Sequence, residues 1–97
     1  MSQRDQILAS IRNRSQEIEA LGVLTLALFG SVARGEDTPT SDVDVLVQFD
    51  GPATFDGFMD LKFLLEDSLG RRVDLVTVDG LREEIREEVL ARALRVA

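Results

Sequence analysis

The amino-acid sequence predicts a single domain of the α/β or α+β class, in which helices pack against a β-sheet. Segments whose apolar residues recur with a helical period alternate along the chain with short apolar runs that are typical of strands. With 97 residues, the chain is near the lower end of what folds on one hydrophobic core. We therefore expect residues 1–97 to form one domain, and neither a helical bundle nor a β-sandwich.

Helices are predicted in four places. The first covers about residues 4–20, and a short helical turn covers residues 32–34. A longer helix lies between Asp56, its candidate N-cap, and Gly70, its candidate terminating glycine. The last helix covers about residues 81–94, and its apolar side chains are expected to be buried.

Strands are predicted for three apolar runs between these helices. Residues 23–29, VLTLALF, form a short run bounded by glycines. A second strand contains Val43, Val45 and Val47 at every other position. Residues 72–78, RVDLVTV, form the third. The resulting alternation of helices and strands is the basis of the fold-class prediction.

The composition excludes several kinds of catalytic site. The sequence contains no cysteine and no histidine, which removes disulfides, thiol nucleophiles, imidazole bases and Cys- or His-ligated metals. Any metal must then be a hard cation bound by oxygen ligands, such as Mg²⁺, Mn²⁺ or Ca²⁺.

The charge and the hydropathy of the chain narrow the choice of partners. Eleven basic and 18 acidic side chains give a formal net charge of −7, which argues against direct binding of nucleic acid. Such a charge suits a basic protein partner, or it serves only to keep the protein in solution. No apolar run approaches the ~20 residues of a membrane span, and the first residues lack the apolar core of a signal peptide. We expect a cytoplasmic protein that does not associate with a membrane.

The stretch GSVARGEDTPTSDVDVLV, residues 30–47, contains the candidate site. Gly30 and Ser31 lie where a strand meets a helical turn, so backbone N–H groups and the serine hydroxyl can bind a phosphate. Glycine also allows the chain to approach a ligand closely. A Gly-Ser pair by itself is more often an ordinary turn with a helix cap.

Asp42 and Asp44 stand two residues apart at the start of the second predicted strand, so both carboxylates project from one face. Their Cα atoms are expected roughly 6.5 Å apart. Carboxylates at that spacing can converge on two metal ions ~3.5–4 Å apart. In the alternative interpretation, Asp42 caps the preceding loop and Asp44 points to solvent.

Asp74 interrupts the apolar run of the third predicted strand, where an unpaired charge is costly to bury. If this strand lies beside the second one, Asp74 joins Asp42 and Asp44. Alternatively, it forms a salt bridge with Arg71, Arg72 or another arginine. Three carboxylates on two strands, beside a Gly-Ser turn on a third, describe a two-metal site for nucleotidyl transfer.

The spacing of this motif, Gly-Ser followed by ten residues and Asp-x-Asp, resembles the signature of the polymerase-β-like nucleotidyltransferases. The chain is most similar to their minimal nucleotidyltransferase (MNT) group, stand-alone domains of about this length. The similarity extends from the first predicted helix to the last. It implies the polymerase-β-like nucleotidyltransferase fold, with a small mixed sheet flanked by helices.

The resemblance implies a role for six residues. Those expected to bind ATP, the substrate, are Gly30, Ser31 and Arg34. Those expected to be catalytic and to bind two Mg²⁺ ions are Asp42, Asp44 and Asp74. Of these, Asp74 would also act as base toward the attacking hydroxyl.

The resemblance also implies a biological role. MNT proteins are typically paired with a HEPN-domain ribonuclease in toxin–antitoxin modules, which would make this protein the antitoxin. It would transfer AMP from ATP to a tyrosine of the HEPN toxin. Two other functions stay open: an antitoxin that neutralises its toxin by binding alone, and a nucleotidyltransferase that modifies a small-molecule hydroxyl.

Overall fold

The computed structural model of the protein describes residues 3–36, 38 and 41–96. The helices in this part of the chain are α1 (Gln3–Arg12), α2 (Ser15–Ala20), α3 (Gly30–Arg34), α4 (Phe55–Leu69) and α5 (Glu83–Arg92). The strands there are β1 (Val23–Phe29), β2 (Val43–Phe49), β3 (Val73–Thr77) and β4 (Leu94–Arg95), and a 3₁₀ turn (Val78–Gly80) follows β3. The sequence EDTPTS, residues 36–41, predicts a loop between α3 and β2, and much of this segment lies outside the described residues.

The described strands form one mixed sheet in the order β3-β2-β1-β4. Strand β1 runs antiparallel to both β2 and β4, whereas β2 and β3 are parallel. The parallel pair is connected through α4, because parallel neighbours need a crossover and cannot be joined by a hairpin. The predicted class, a small mixed sheet flanked by helices, is confirmed.

The hydrophobic core lies between the sheet and helices α1, α2 and α4. In β1, the fully buried Leu26 and Leu28 alternate with partly exposed residues, as expected for a strand with one face on the core. The largest fully buried side chains of the helices are Ile11, Ile18, Leu61 and Leu65. Each of these contributes about 1.5–3 kcal/mol of hydrophobic stabilisation.

The first predicted helix is in fact two helices, α1 and α2. The break comes at Asn13 and Arg14, where the Arg14 N–H bonds to the Ile11 carbonyl at 3.0 Å, three residues back instead of four. Residues 12–15 offer no apolar side chain to the sheet, and asparagine favours turns over helix interiors. The prediction of one continuous helix was therefore wrong.

The last predicted helix is shorter than expected, and most of its apolar side chains are not buried, although Leu81, which precedes α5, is. Helix α5 ends at Arg92, and within it Ile85 and Leu90 are each 44% exposed. Leu94 and Arg95 leave the helix to pair with β1, and the Val96 N–H donates to the Leu26 carbonyl at 2.8 Å. Pairing satisfies backbone groups along the edge of β1, which a longer helix would leave open.

Helix α4 is capped by a different residue from the one predicted. Thr54, not Asp56, is the N-cap, and its hydroxyl oxygen accepts a hydrogen bond from the Gly57 N–H at 3.0 Å. Asp56 lies in the first turn, where its charge favours the positive end of the helix dipole. Gly70 ends the helix in the left-handed conformation, as predicted.

Thr54→Ala is expected to lower the free energy of unfolding by about 1 kcal/mol, because it removes the side-chain acceptor that caps this helix. Thr54→Ser should restore most of this loss, whereas Asp56→Asn should cost less than about 0.5 kcal/mol. Urea denaturation of the three variants measures the differences. If Asp56→Asn were the more destabilising substitution, the assignment of the cap would be wrong.

Across the described ranges, no helix combines the length and the apolarity needed to cross a membrane.

Candidate active site

The candidate site lies where β1 ends and β2 and β3 begin. In the antiparallel pair, Asp44 stands opposite Phe29, the last residue of β1. In the parallel pair, Asp44 stands opposite Asp74. The sheet therefore places Asp44 in the middle, with Asp74 on one side and the turn that follows Phe29 on the other.

Gly30 lies directly against the carboxylate of Asp44. A Cβ atom at this position would collide with the Asp44 Oδ2 atom and would lie 3.0 Å from its Cγ. Gly30 also has a φ of +68°, in the left-handed region that side chains disfavour. Both the backbone conformation and the neighbouring carboxylate therefore require glycine here.

Ser31 is the second residue of the short helix α3, directly after Gly30. Its carbonyl accepts a hydrogen bond from the Glu36 N–H at 2.8 Å, which closes the C-terminal end of the turn. Gly35 adopts the left-handed conformation that this closure requires. Ser31 is half-buried and lies in this turn, next in sequence to Gly30, which contacts Asp44.

Asp42 is exposed and immediately precedes β2. Its negative charge contributes to the raised pKa of Asp44, so the two carboxylates are within electrostatic reach of each other. The following residue, Val43, donates its N–H to the Arg72 carbonyl at 2.9 Å, which ties this end of β2 to the start of β3.

Asp44 has a raised pKa. Its burial is the largest cause, since desolvation disfavours the charged form, and the charges of Asp74 and Asp42 add to it. A hydrogen bond between the Asp44 and Asp74 side chains raises the pKa further, whereas the positive charge of Arg34 lowers it. A cation bound beside Asp44 would therefore stabilise the ionised form of its carboxylate.

Asp74 is exposed at the start of β3, directly opposite Asp44 in the parallel register, and its charge helps to raise the pKa of Asp44. Of the two alternatives that the sequence left open, the structure favours the carboxylate cluster. The Arg71 side chain donates to the backbone carbonyls of Thr38 and Ser41.

The arrangement fits a hard divalent cation that is shared with a substrate. Among the described residues, no three acidic side chains converge into a ready-made metal cage. Mg²⁺, however, is usually held by one or two carboxylates together with substrate phosphates and water, not by protein ligands alone. The all-oxygen donor set of adjacent, mutually repelling aspartates meets that requirement.

Arg34 lies at the end of α3 and close enough to lower the pKa of Asp44. Its Nε donates to the Glu36 carboxylate at 3.1 Å, and both side chains are more than half exposed. The structure thus brings Arg34 near the aspartates, in an ion pair that an incoming phosphate could replace.

The sequence analysis did not predict the roles of two supporting residues: Arg71, which it considered only as an ion-pair partner of Asp74, and Glu66. The Glu66 carboxylate accepts a hydrogen bond from the Val73 N–H at 3.0 Å, next to Asp74. Both side chains act on the backbone of other elements, and no local spacing or composition signals such contacts.

Comparison with known proteins shows which family shares this arrangement. The sequence model of the family described as "Nucleotidyltransferase domain" matches residues 7–96, nearly the whole chain. The chain belongs to this nucleotidyltransferase family. The protein adenylyltransferase MntA of Thermococcus cleftensis is 41% identical over 78 residues, which cover 80% of this chain and 79% of that relative.

Solved structures agree with the fold of this nucleotidyltransferase. One, assigned as a minimal nucleotidyltransferase, is 40% identical, has a TM-score of 0.74, and covers 90% of this chain and 93% of its own. Another is a complex of a tri-AMPylated HEPN toxin with an MNT antitoxin from Shewanella oneidensis, with a TM-score of 0.59. It is 18% identical and covers 89% of this chain and 71% of its own, so it supports the fold alone. The resemblance to the MNT group is confirmed.

Proposed function

We propose that this nucleotidyltransferase is an antitoxin that transfers AMP from ATP to a tyrosine hydroxyl of a HEPN-domain toxin. The observation that carries the proposal is the register of β2 and β3, which pairs Asp44 with Asp74 beside the turn at Gly30. The relative named protein adenylyltransferase supports AMP as the transferred group, and the AMPylated HEPN toxin in a complex of the same fold is the precedent for the acceptor protein.

The turn after β1 is suited to bind the triphosphate of ATP. Gly30 has no side chain between the backbone and Asp44, so a phosphate can approach the backbone closely. Ser31 offers a hydroxyl donor beside it. A phosphate held at this turn would lie next to Asp44, where it could share a cation with the carboxylates.

The residues proposed to hold two Mg²⁺ ions are Asp42, Asp44 and Asp74. When bound, Mg²⁺ would neutralise the charge on the phosphates and stabilise the charge that develops during the transfer. The protein contributes the placement of the ligands. Asp44 is half-buried at the centre, and it is flanked by two exposed residues, Asp42 just before β2 and Asp74 on β3.

In the transfer step, the oxygen of the acceptor hydroxyl forms a bond with the α-phosphorus of ATP, and the bond from that phosphorus to the bridging oxygen breaks. Pyrophosphate leaves with that electron pair. Asp74 accepts the hydroxyl proton, because it is exposed at the start of β3, where an acceptor side chain can reach it.

Arg34→Ala is expected to raise the KM for ATP by about tenfold with a small change in kcat, since one charge-assisted contact to phosphate is lost. Its effect on unfolding should be below about 0.5 kcal/mol, because the ion pair with Glu36 is exposed. Glu36→Gln is the matched control and should leave KM unchanged or lower it. Steady-state kinetics over a range of ATP concentrations measures both. A wild-type KM in Arg34→Ala would remove Arg34 from the nucleotide site.

The proposed function is tested by treating a purified HEPN-domain toxin with this protein, ATP and Mg²⁺, and then separating the two proteins under denaturing conditions. After refolding, the treated toxin should lack ribonuclease activity, whereas toxin treated without ATP should regain it. Peptide mass spectrometry should locate AMP on a tyrosine. If both toxin samples regained equal activity, the protein would act by binding alone.

A further inference from the structure

Arg71 fastens the chain immediately before Asp42. Its Nη2 donates to the carbonyl of Ser41 at 2.7 Å and to the carbonyl of Thr38 at 2.8 Å. Thr38 and Ser41 also form hydrogen bonds with each other. The Ser41 N–H donates to the Thr38 carbonyl at 3.0 Å, and the Thr38 N–H donates to the Ser41 hydroxyl at 2.9 Å. The guanidinium therefore holds the backbone of Thr38 and of Ser41, and Ser41 directly precedes Asp42 in the chain.

The backbone immediately after Asp42 is hydrogen-bonded to Arg72, the residue that follows Arg71. The Arg72 carbonyl accepts the Val43 N–H at 2.9 Å. The backbone on both sides of Asp42 is thus hydrogen-bonded to the connection from α4 to β3. Because the Asp42 side chain is exposed and has no wall of neighbours around it, its position depends on the backbone that carries it.

The same connection also fixes Asp74. Gly70 ends α4 in the left-handed conformation, and the Glu66 carboxylate holds the Val73 N–H at 3.0 Å. Asp74 follows directly. The connection from α4 to β3 therefore determines where Asp42 and Asp74 lie relative to each other.

We infer that Arg71 is a positioning residue that presents Asp42 to the metal ion of the site, an inference that rests on the proposed function. Its contacts are charge-assisted hydrogen bonds to two carbonyls from a single nitrogen, which stabilise one backbone geometry. A lysine can offer N–H donors, but not from the planar guanidinium, so it should replace Arg71 only in part.

The test compares Arg71→Met with Arg71→Lys and with the matched control Arg72→Met. Methionine keeps an apolar stem beside Ile7 and Leu69, which line the same cavity as Arg71, but it donates no hydrogen bond. Arg72 is the neighbouring arginine, is exposed, and contributes its backbone carbonyl, which the substitution retains. Two quantities are measured: the affinity for Mn²⁺ in the presence of AMP-PNP, from the electron paramagnetic resonance of free Mn²⁺, and amide hydrogen exchange.

Arg71→Met should weaken Mn²⁺ binding by about tenfold. The Ser41 and Val43 amides should exchange faster, with the core amide of Leu65 unchanged. Arg71→Lys should lie between this variant and the wild type, and Arg72→Met should match the wild type. Wild-type Mn²⁺ affinity in Arg71→Met, or faster exchange throughout the protein, would overturn the inference and leave the proposed function intact. If the wild type itself bound no Mn²⁺ with AMP-PNP, the proposed function would fail, and the inference with it.

Discussion

Asp44→Asn should reduce AMP transfer by about 10³-fold, since losing the proposed central metal ligand would remove several kcal/mol of transition-state stabilisation. Asparagine has the same shape and keeps one oxygen, so the loss reports the missing charge and not a change in packing. The measurement is the rate of AMP incorporation at saturating ATP and Mg²⁺.

Asp50→Asn is the matched control for this substitution. Asp50 is exposed and follows the opposite end of β2, so the same chemical change is made on the same strand, away from the site. Its rate should equal that of the wild type. An Asp44→Asn variant that is as active as Asp50→Asn would contradict the proposed role of Asp44.

Asp44→Asn should be more stable than the wild type when metal is absent. Burial and the charges of Asp74 and Asp42 raise the pKa of Asp44 above its ordinary value of 3.8. The stabilisation from this shift is fully present below pH 3.8 and is lost as the pH rises through the pKa of the folded state. Asparagine cannot ionise and escapes this loss.

The gain in the free energy of unfolding should therefore be present at neutral pH and shrink toward zero as the pH falls below 3.8. Urea denaturation in the presence of EDTA at several pH values measures it. Equal stability of the two proteins at neutral pH would mean that neither burial nor the neighbouring carboxylates disfavour the ionised form of Asp44 in the folded protein.

Gly30→Ala should lower both stability and activity. The left-handed backbone alone costs about 1–2 kcal/mol for a residue with a Cβ atom, and the new Cβ would also collide with the Asp44 carboxylate. Because Asp44 must move to relieve the collision, AMP transfer should fall by about 100-fold. Urea denaturation and the transfer rate are the two measurements.

Gly35→Ala is the control for the backbone term. Gly35 ends the same helix with a φ of +73°, against +68° for Gly30, and a Cβ atom there would meet nothing within 4 Å. It should lose only the about 1–2 kcal/mol of the left-handed conformation. If the two variants were equally stable and equally active, the contact between Gly30 and Asp44 would have no consequence.

The sequence was sufficient to predict the elements that carry the site. Strand β1 was predicted with its observed bounds, because an apolar run between two glycines has few other structures available. The two-residue spacing of Asp42 and Asp44 is a local property of a strand. The position of Asp74 beside them was conditional, since it required β2 and β3 to be neighbours, and only the parallel register decides that.

The errors arose where tertiary contacts override local pattern. The apolar period around Leu94 is helical, yet the free edge of β1 takes this residue as a strand. Thr54 and Asp56 are both good helix caps, and the hydrogen bond to Gly57 decides between them. Arg71 acts on carbonyls some 30 residues earlier in the chain, a contact that no local spacing encodes.

The central claim, that the aspartates catalyse AMP transfer to a protein, is tested most directly by the intact mass of a HEPN-domain toxin after incubation with this protein, ATP and Mg²⁺. We expect a gain of one or more AMP units with the wild type and none with Asp44→Asn. A gain of the same size with Asp44→Asn would contradict the mechanism. No gain with the wild type, although the two proteins elute as one complex, would contradict the claim of transfer itself.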